Sequence, residues 1–455
     1  MAVNGSRIHL NENRAEFGQF LRASRQRSIH SPVMSLPTWL SLLGYLFTLA
    51  LTQTIYFGLF KLMDLRWAML AALVASSAAD WILSRTRRGY RAHGKIGQIL
   101  AIYLLATLGT VIYAENWIFS GMRWASHAAM LVVFLLILPQ IIVPSQARRM
   151  LDILKYIMAA LLIYSFLRPF IEGIPDTGVL YHGAMGNANT MGHVAFITAL
   201  LFLHSLLVSK VPRVRRLCGA LVIAAVITVW QSGARSSILA LVIGVLLLLY
   251  YYPRETQGLA MAGILLGGLA MVSFPTLPAQ ISHFVVKKYT TENRVSASLD
   301  ALRSRRPIWS AAWEGFKERP LVGWGFGADR KMTQEWEIKL TAVGAVERDA
   351  VNDFLFMMEG CGIIGPCSYL LLIHIVLKQR PTRSQKSILQ RFSRDREVNS
   401  GAMDLHHAHV VLFILPTCLL FLNQFDNSAL SAGNLISVTT WLSTASAAVL
   451  RHEMN

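Results

Sequence analysis

Residues 217–252 read LCGALVIAAVITVWQSGARSSILALVIGVLLLLYYY, two apolar runs divided by Ser232-Gly233-Ala234-Arg235. An α-helix needs about 20 apolar residues to cross a hydrocarbon core of about 30 Å. The first run, 217–231, is short, so the pair also reads as one long interrupted helix. Ser and Gly punctuate helices, and Ser232-Gly233-Ala234 favours a tight break into two spans, 217–231 and 235–252.

Similar runs recur on either side, at 38–60, 67–83, 96–113, 124–143, 151–171, 190–209, 258–275, 353–376, 409–425 and 429–449. The 455 residues are 54% hydrophobic and 15% charged, whereas soluble domains are about a quarter charged. The expected fold is therefore an all-α integral membrane protein with about twelve transmembrane helices. Its parts are a polar segment 1–36, helices one to nine in 37–275, a large loop 276–352, helices ten to twelve in 353–450 and a tail 451–455.

A net charge of +18 would suggest nucleic acid in a soluble protein. Here the basic residues sit in short loops between apolar runs, so membrane orientation explains the excess and nucleic-acid binding is not expected. With the N-terminus inside, one set of alternate loops holds Arg85, Arg87, Arg88, Arg91 and Lys95; Arg148 and Arg149; Lys210, Arg213, Arg215 and Arg216; Arg254; and the cluster from Lys378 to Arg396. The other short loops hold Lys61, Arg66, Arg123 and Arg235. Both termini are thus expected in the cytoplasm, and an even number of spans keeps Arg451 inside. Residues 1–36 have no early apolar run, so no cleavable signal peptide is expected. Cys218, Cys361, Cys367 and Cys418 lack Cys-x-x-Cys spacing and read as small buried hydrophobes.

The loop 276–352, between the ninth and tenth spans, carries twelve Lys/Arg and nine Asp/Glu and is expected on the periplasmic face. Within it, 299–318 reads as an amphipathic helix with Leu299, Leu302, Ile308, Ala312, Trp313 and Phe316 on one side. Pro307 should kink or start that helix and Pro320 should follow its end. Leu321–Gly327, LVGWGFG, is a glycine-rich turn whose Gly323, Gly325 and Gly327 would permit closure over a substrate.

Four polar features fall on the same expected face. Gly186-Asn187-Ala188-Asn189-Thr190-Met191-Gly192 opens the sixth span, with His193 just after. Its asparagines could orient a glycan or a phosphate, or cap a helix start. Arg235 stands between two apolar helices, where it needs an anion, a headgroup or water. Arg303, Arg305 and Arg306 suit a pyrophosphate, because guanidinium groups bind phosphate oxygens bidentately; a basic face on anionic lipid is the other reading. Asn352-Asp353 begins the tenth span after Glu347, Arg348 and Asp349, and supplies either a general base or a charged helix cap. Gly360, Gly362 and Gly365 then allow close packing. His406-His407-x-His409 reads as a wet loop, and no nucleotide-binding, zinc-protease or serine-triad motif is present.

In order, GNANTMG (186–192), SGARSSILAL (from 232), RPIWSAAWEGFKERPLVGWGFG (from 306), NDFLFMMEGCGIIG (from 352) and Asn423-Gln424-Phe425-Asp426 resemble the O-antigen ligase and polymerase superfamily of bacterial surface-polysaccharide synthesis. The resemblance spans roughly 180–450. It implies periplasmic transfer of a glycan from an undecaprenyl-pyrophosphate carrier to a sugar hydroxyl on another glycan or on lipid A–core, in the bacterial inner membrane, with membrane lipid and other polysaccharide-assembly proteins as partners. It also implies that neither cofactor nor metal takes part. By position Arg235 and Arg306 correspond to the family's pyrophosphate-contacting arginines, with Arg303 and Arg305 beside them and Asn187, Asn189, His193, Asn352 and Asp426 in support.

The chain departs from the family where ligases carry His-Asn, for here Val351 precedes Asn352. Valine takes no proton. Asp349 or Asp353, then His182, His193 or His283, are the candidate replacements, and polymerisation of exopolysaccharide or O-antigen repeats is favoured over ligation to lipid A–core. A flippase for lipid-linked oligosaccharide and a noncatalytic partner in a synthesis complex are the alternatives. Against a flippase, the loop 210–216 is short and no two similar halves are evident.

Overall fold

The computed structural model describes residues 34–52, 54, 62–85, 94–172, 181–185, 187–253, 256–258, 301–327, 352–381, 396–424, 430, 432 and 434–454. Its helices are α1 (Leu36–Thr52), α2 (Leu62–Arg85), α3 (Gly94–Val111), α4 (Trp117–Ile141), α5 (Pro144–Glu172), α6 (Ala188–Val208) and α7 (Pro212–Ser232). They continue with α8 (Arg235–Tyr251), α9 (Ala301–Glu318), α10 (Asp353–Cys361), α11 (Ile364–Lys378), α12 (Arg396–Leu422) and α13 (Leu435–Met454). Among the described residues there is no strand, and a bridge joins Thr54 to Met185. By length and composition α4, α5, α6, α7 and the Met403–Leu422 part of α12 can each cross a membrane, while α1, α8, α11 and most of α3 are shorter apolar helices. Helices of this length and composition are those of a multi-pass membrane protein.

The break expected at 232–235 is present. Gly233 adopts a left-handed φ of 65° and ends α7, so α7 and α8 are separate helices. The seventh span is not short, because Pro212 starts it five residues early; a proline at the first helical position gives up an N–H that has no partner anyway. Elsewhere the first helix stops at Thr52 instead of 60, and the last runs 435–454 instead of 429–449. Most of the ninth expected span, 259–275, lies outside the described residues. In α4 a π turn at Val132–Ile137 widens the helix beside α13.

The core lies around α6. Its residues from Met191 to Leu201 are all buried, and it packs against α5, α7, α8 and α12. A helix apolar on every side belongs in the interior of a bundle. α13 is similarly enclosed by α12, α5 and α4, and its buried Thr440 and Thr444 hydroxyls donate to the Ile436 and Thr440 carbonyls, both at 2.8 Å. Such back-bonding lets hydroxyl groups lie inside without solvent. The outer helices α3, α7 and α8 expose Leu105, Ile223, Trp230, Val242 and Leu246, as lipid-facing surfaces do.

Side-chain bonds order the two ends of the bundle. At one end Asp80 of α2 accepts from Ser35 N–H (2.9 Å) and the Thr38 hydroxyl (2.8 Å), capping α1, and Arg148 meets Asp404 at 2.9 Å. At the other end lie the close of α1, the α3–α4 and α7–α8 turns, the start of α6 and the close of α12. All four polar features noted in the sequence fall there.

Candidate functional site

Asn187 takes an extended conformation before α6 and its side chain accepts from Asn189 N–H at 2.7 Å, so the asparagine pair does cap a helix. Asn187 is exposed and Asn189 half-buried, while His193 one turn further is 3% exposed and sits inside the bundle. Gly192 is where α6 meets the α7–α8 turn: a Cβ there would collide with the Ala234 side chain and lie 2.8 Å from Ser232 Oγ. Tyr181 N–H reaches Gln231 O (3.2 Å), tying the segment before α6 to the same turn. Arg235 begins α8, half-buried, with its Nε and Nη2 atoms below the surface.

Two side chains absent from the sequence reading hold the segment before α6. Arg168, in the last turns of α5, donates to Gly183 O, and Ser165 Oγ accepts from Ala184 N–H at 3.1 Å. A further guanidinium therefore stands at this end of the bundle. Within an apolar helix it reads as a snorkelling arginine, and the run 151–171 conceals it.

α9 starts at Ala301 and continues to Glu318, with Pro307 inside it instead of at its start and Pro320 following its end as expected. Arg303, Arg305 and Arg306 lie on this helix, whose side chains are described from Trp309 onward. Ala311, Ala312 and Gly315 face inward as α9 packs on α10, whereas Trp313, placed on the inner side by the sequence pattern, is 47% exposed. Small residues permit the close approach to α10, and the indole is left outside, where a membrane interface accepts it.

The glycine-rich turn is a fixed strut in this structure. Trp324 N–H donates to Glu359 O (3.1 Å), Gly325 N–H to Gly360 O (2.7 Å), and Ile363 N–H to Pro320 O (2.8 Å). Ser120 Oγ donates to Phe326 O (2.7 Å) and Arg123 Nη1 to Gly327 O (2.8 Å). The Arg319 guanidinium lies 4.0 Å over the Trp324 ring, and Phe326 stacks at 5.4 Å on His127, which itself meets the Tyr103 hydroxyl at 2.9 Å. Gly323, Gly325 and Gly327 all have positive φ, but the conformations they permit are used to dock the turn into the bundle.

That docking explains a correction to the tenth span. The run 353–376 is not one helix: α10 ends at Cys361 and α11 begins at Ile364, around Gly362 at φ 58°. The Tyr369 hydroxyl donates to Asp353 Oδ2 at 3.2 Å across sixteen residues, a separation of about 24 Å along a straight helix. α10 is therefore folded back against α11. Broken helices at membrane depth need their freed backbone groups satisfied by protein, and the turn 319–327 does this for the carbonyls of Glu359 and Gly360.

Asn352 caps α10, accepting from Leu355 N–H at 3.0 Å and donating from Nδ2 to Gln424 O at 2.6 Å. Asp353 N–H donates to Asn423 O (3.1 Å), and Gln424 Nε2 donates to the Tyr369 hydroxyl (3.3 Å). Asp353 is 0% exposed, and a second carboxylate, Glu359, is buried on the same short helix. His182 is half-buried ahead of α6. Asp349, Val351, Asp426 and His283 lie outside the described residues.

The histidine cluster is not a loop. α12 begins at Arg396, and His406 and His409 are buried within it, with His409 Nε2 2.8 Å from Gln379 O. His407 Nδ1 meets the Tyr252 hydroxyl at 2.9 Å, and His204 Nε2 meets the same hydroxyl at 3.3 Å. Charged and polar residues 396–408 had set the expected start of this helix too late; tertiary packing carries it further than hydropathy alone. Among the described residues no three His, Cys, Asp or Glu side chains gather as metal ligands do.

The fold defines a polytopic helical membrane protein with a polar site at one end of its bundle. Residues 220–369 match the family model described as O-antigen ligase, so over that stretch the chain is similar to the O-antigen ligase and polymerase superfamily. The match runs from within α7 to Tyr369 and includes Arg235, Arg306, the glycine turn, Asn352 and Asp353. No curated protein matches the chain. The family's chemistry is glycan transfer of the O-antigen ligase or polymerase type.

Proposed function

We propose that the protein transfers a glycan at the periplasmic face from an undecaprenyl-pyrophosphate carrier to a sugar hydroxyl, polymerising exopolysaccharide or O-antigen repeat units. The observation that carries this reading is the gathering of the Asn187 cap, the Arg235 turn, the glycine turn behind α9 and the Asn352 cap at one end of the bundle. In this reading twelve spans cross the inner membrane, both termini are cytoplasmic, and that end faces the periplasm. Arg235 and Arg306, with Arg303 and Arg305, hold the pyrophosphate. Departure of the carrier builds negative charge on it, and fixed guanidinium groups in a partly dry site stabilise that charge without reorganising. Asn187 and Asn189 orient the donor glycan.

Asp349 takes the proton from the attacking hydroxyl. The new glycosidic bond forms as the bond to the pyrophosphate breaks, and the carrier leaves as undecaprenyl pyrophosphate. Val351, standing where ligases carry histidine, favours polymerisation over transfer to lipid A–core. The test is an analysis of lipid-linked and surface glycans in a strain deleted for the gene. Single repeat units held on the carrier are the expected result. Finished chains stranded on the carrier beside bare lipid A–core would make the protein a ligase, and unchanged pools would remove it from glycan transfer. Arg306→Ala should reproduce the deletion while leaving the protein in the membrane.

A further inference from the structure

Asp353 was a candidate general base, yet its carboxylate has no exposure, and Oδ2 accepts from the Tyr369 hydroxyl at 3.2 Å. A base must come within hydrogen-bond reach of the hydroxyl it deprotonates, directly or through one water. The bonds around Asp353 form a closed circuit across three helices: Asp353 to Tyr369 on α11, Tyr369 to Gln424 after α12, Gln424 O back to Asn352, and Asn423 O to Asp353 N–H. This circuit ties the far end of the folded-back α10 to α11 and to the close of α12, and it fixes the backbone of Asn352, the first described residue after 328–351.

We propose that Asp353 and Tyr369 are positioning residues, a latch that holds α10 against α11 and α12. The latch sets the position of Asn352 and the start of α10, while acid–base chemistry is done by another group. The inference rests on the functional reading above, because the step it serves is glycan transfer. Its geometric logic is general: a reacting group displaced by about 1 Å can lose about 10²-fold in rate, and Asn352 at the site is placed through the latch.

The test uses the full-length protein in detergent or liposomes, with undecaprenyl-pyrophosphate-linked glycan extracted from the deletion strain as donor. Asp353→Asn and Tyr369→Phe keep side-chain shape. Turnover is counted per folded molecule, and the pH–rate profile is recorded for each. The expected result is a similar fall in kcat for both variants, about 10- to 100-fold, with KM for the donor and the acidic limb of the profile retained. The double variant should be no slower than the worse single. Loss of the acidic limb in Asp353→Asn, with Tyr369→Phe near wild type, would make Asp353 the base and overturn the proposal. Wild-type turnover in both would reduce the pair to a fold contact and also overturn it. If the unaltered protein transfers no glycan, the functional reading falls separately. The latch is then judged on melting temperatures: a double-variant drop smaller than the sum of the singles supports it, and additive drops refute it.

Discussion

Replacing Gly362 by alanine should destabilise the protein far more than its size suggests. Gly362 has φ 58° and ψ −148°, a region open essentially to glycine alone and costing about 1–3 kcal/mol for other residues. A Cβ there would also collide with the carbonyl carbon and oxygen of Leu321 and lie 2.6 Å from Val322 N, all backbone atoms that cannot rotate away. Overpacking of this kind costs about 1–3 kcal/mol. Movement of either chain breaks the 2.8 Å bond from Ile363 N–H to Pro320 O, worth about 1 kcal/mol. The sum is about 3–7 kcal/mol. Gly219→Ala is the matched control: Gly219 lies inside α7 with no atom within 4 Å of its Cβ position, and alanine there should gain about 0.5–1 kcal/mol. Thermal unfolding in detergent, followed by tryptophan fluorescence, compares the two. Equal melting temperatures would refute the idea that the turn 319–327 and the broken helix lock together.

Gly192→Val should push α6 off the α7–α8 turn, because Ala234 and Ser232 already fill the space; the expected outcome is loss of glycan transfer, read in a complementation assay against protein level. Asp349→Asn should slow transfer by about 10²–10⁴-fold, and an unchanged rate in the donor assay would direct attention to the histidines. Arg148→Ala removes an exposed pair with Asp404 at the opposite end, so stability should change by about 1 kcal/mol at most, with transfer intact. Arg235→Lys should restore only part of the activity lost in Arg235→Ala, since an ammonium cannot bind phosphate bidentately.

The all-α, membrane-spanning character was legible because lipid demands long apolar runs, and the break at Ser232–Arg235 was legible because glycine alone ends α7 so abruptly. Hydropathy failed where a segment is short or polar yet enclosed by other helices. Residues 396–408 look soluble, but α12 carries them into the bundle, so His406 and His409 read as a loop. The run 353–376 looks like an ordinary span because fold-back at Gly362 depends on a partner more than thirty residues upstream in the chain, and that pairing leaves no periodic trace. Tyr369 was invisible for the same reason: only after the fold-back does it meet Asp353. The glycines of 323–327 were read as freedom to move, whereas their backbone bonds make them a joint.

The joint between residues 319–327 and α10 also bears on how the chain is made. The donors, Trp324 and Gly325 N–H, leave the ribosome before the Glu359 and Gly360 carbonyls they will meet. A nascent α10 therefore arrives where its complement has already been translated, so its broken backbone need not wait, exposed to lipid, for a later segment. Shuffling the order of these two pieces, by circular permutation between them, would ask the insertion machinery to hold an unsatisfied helix end in the bilayer.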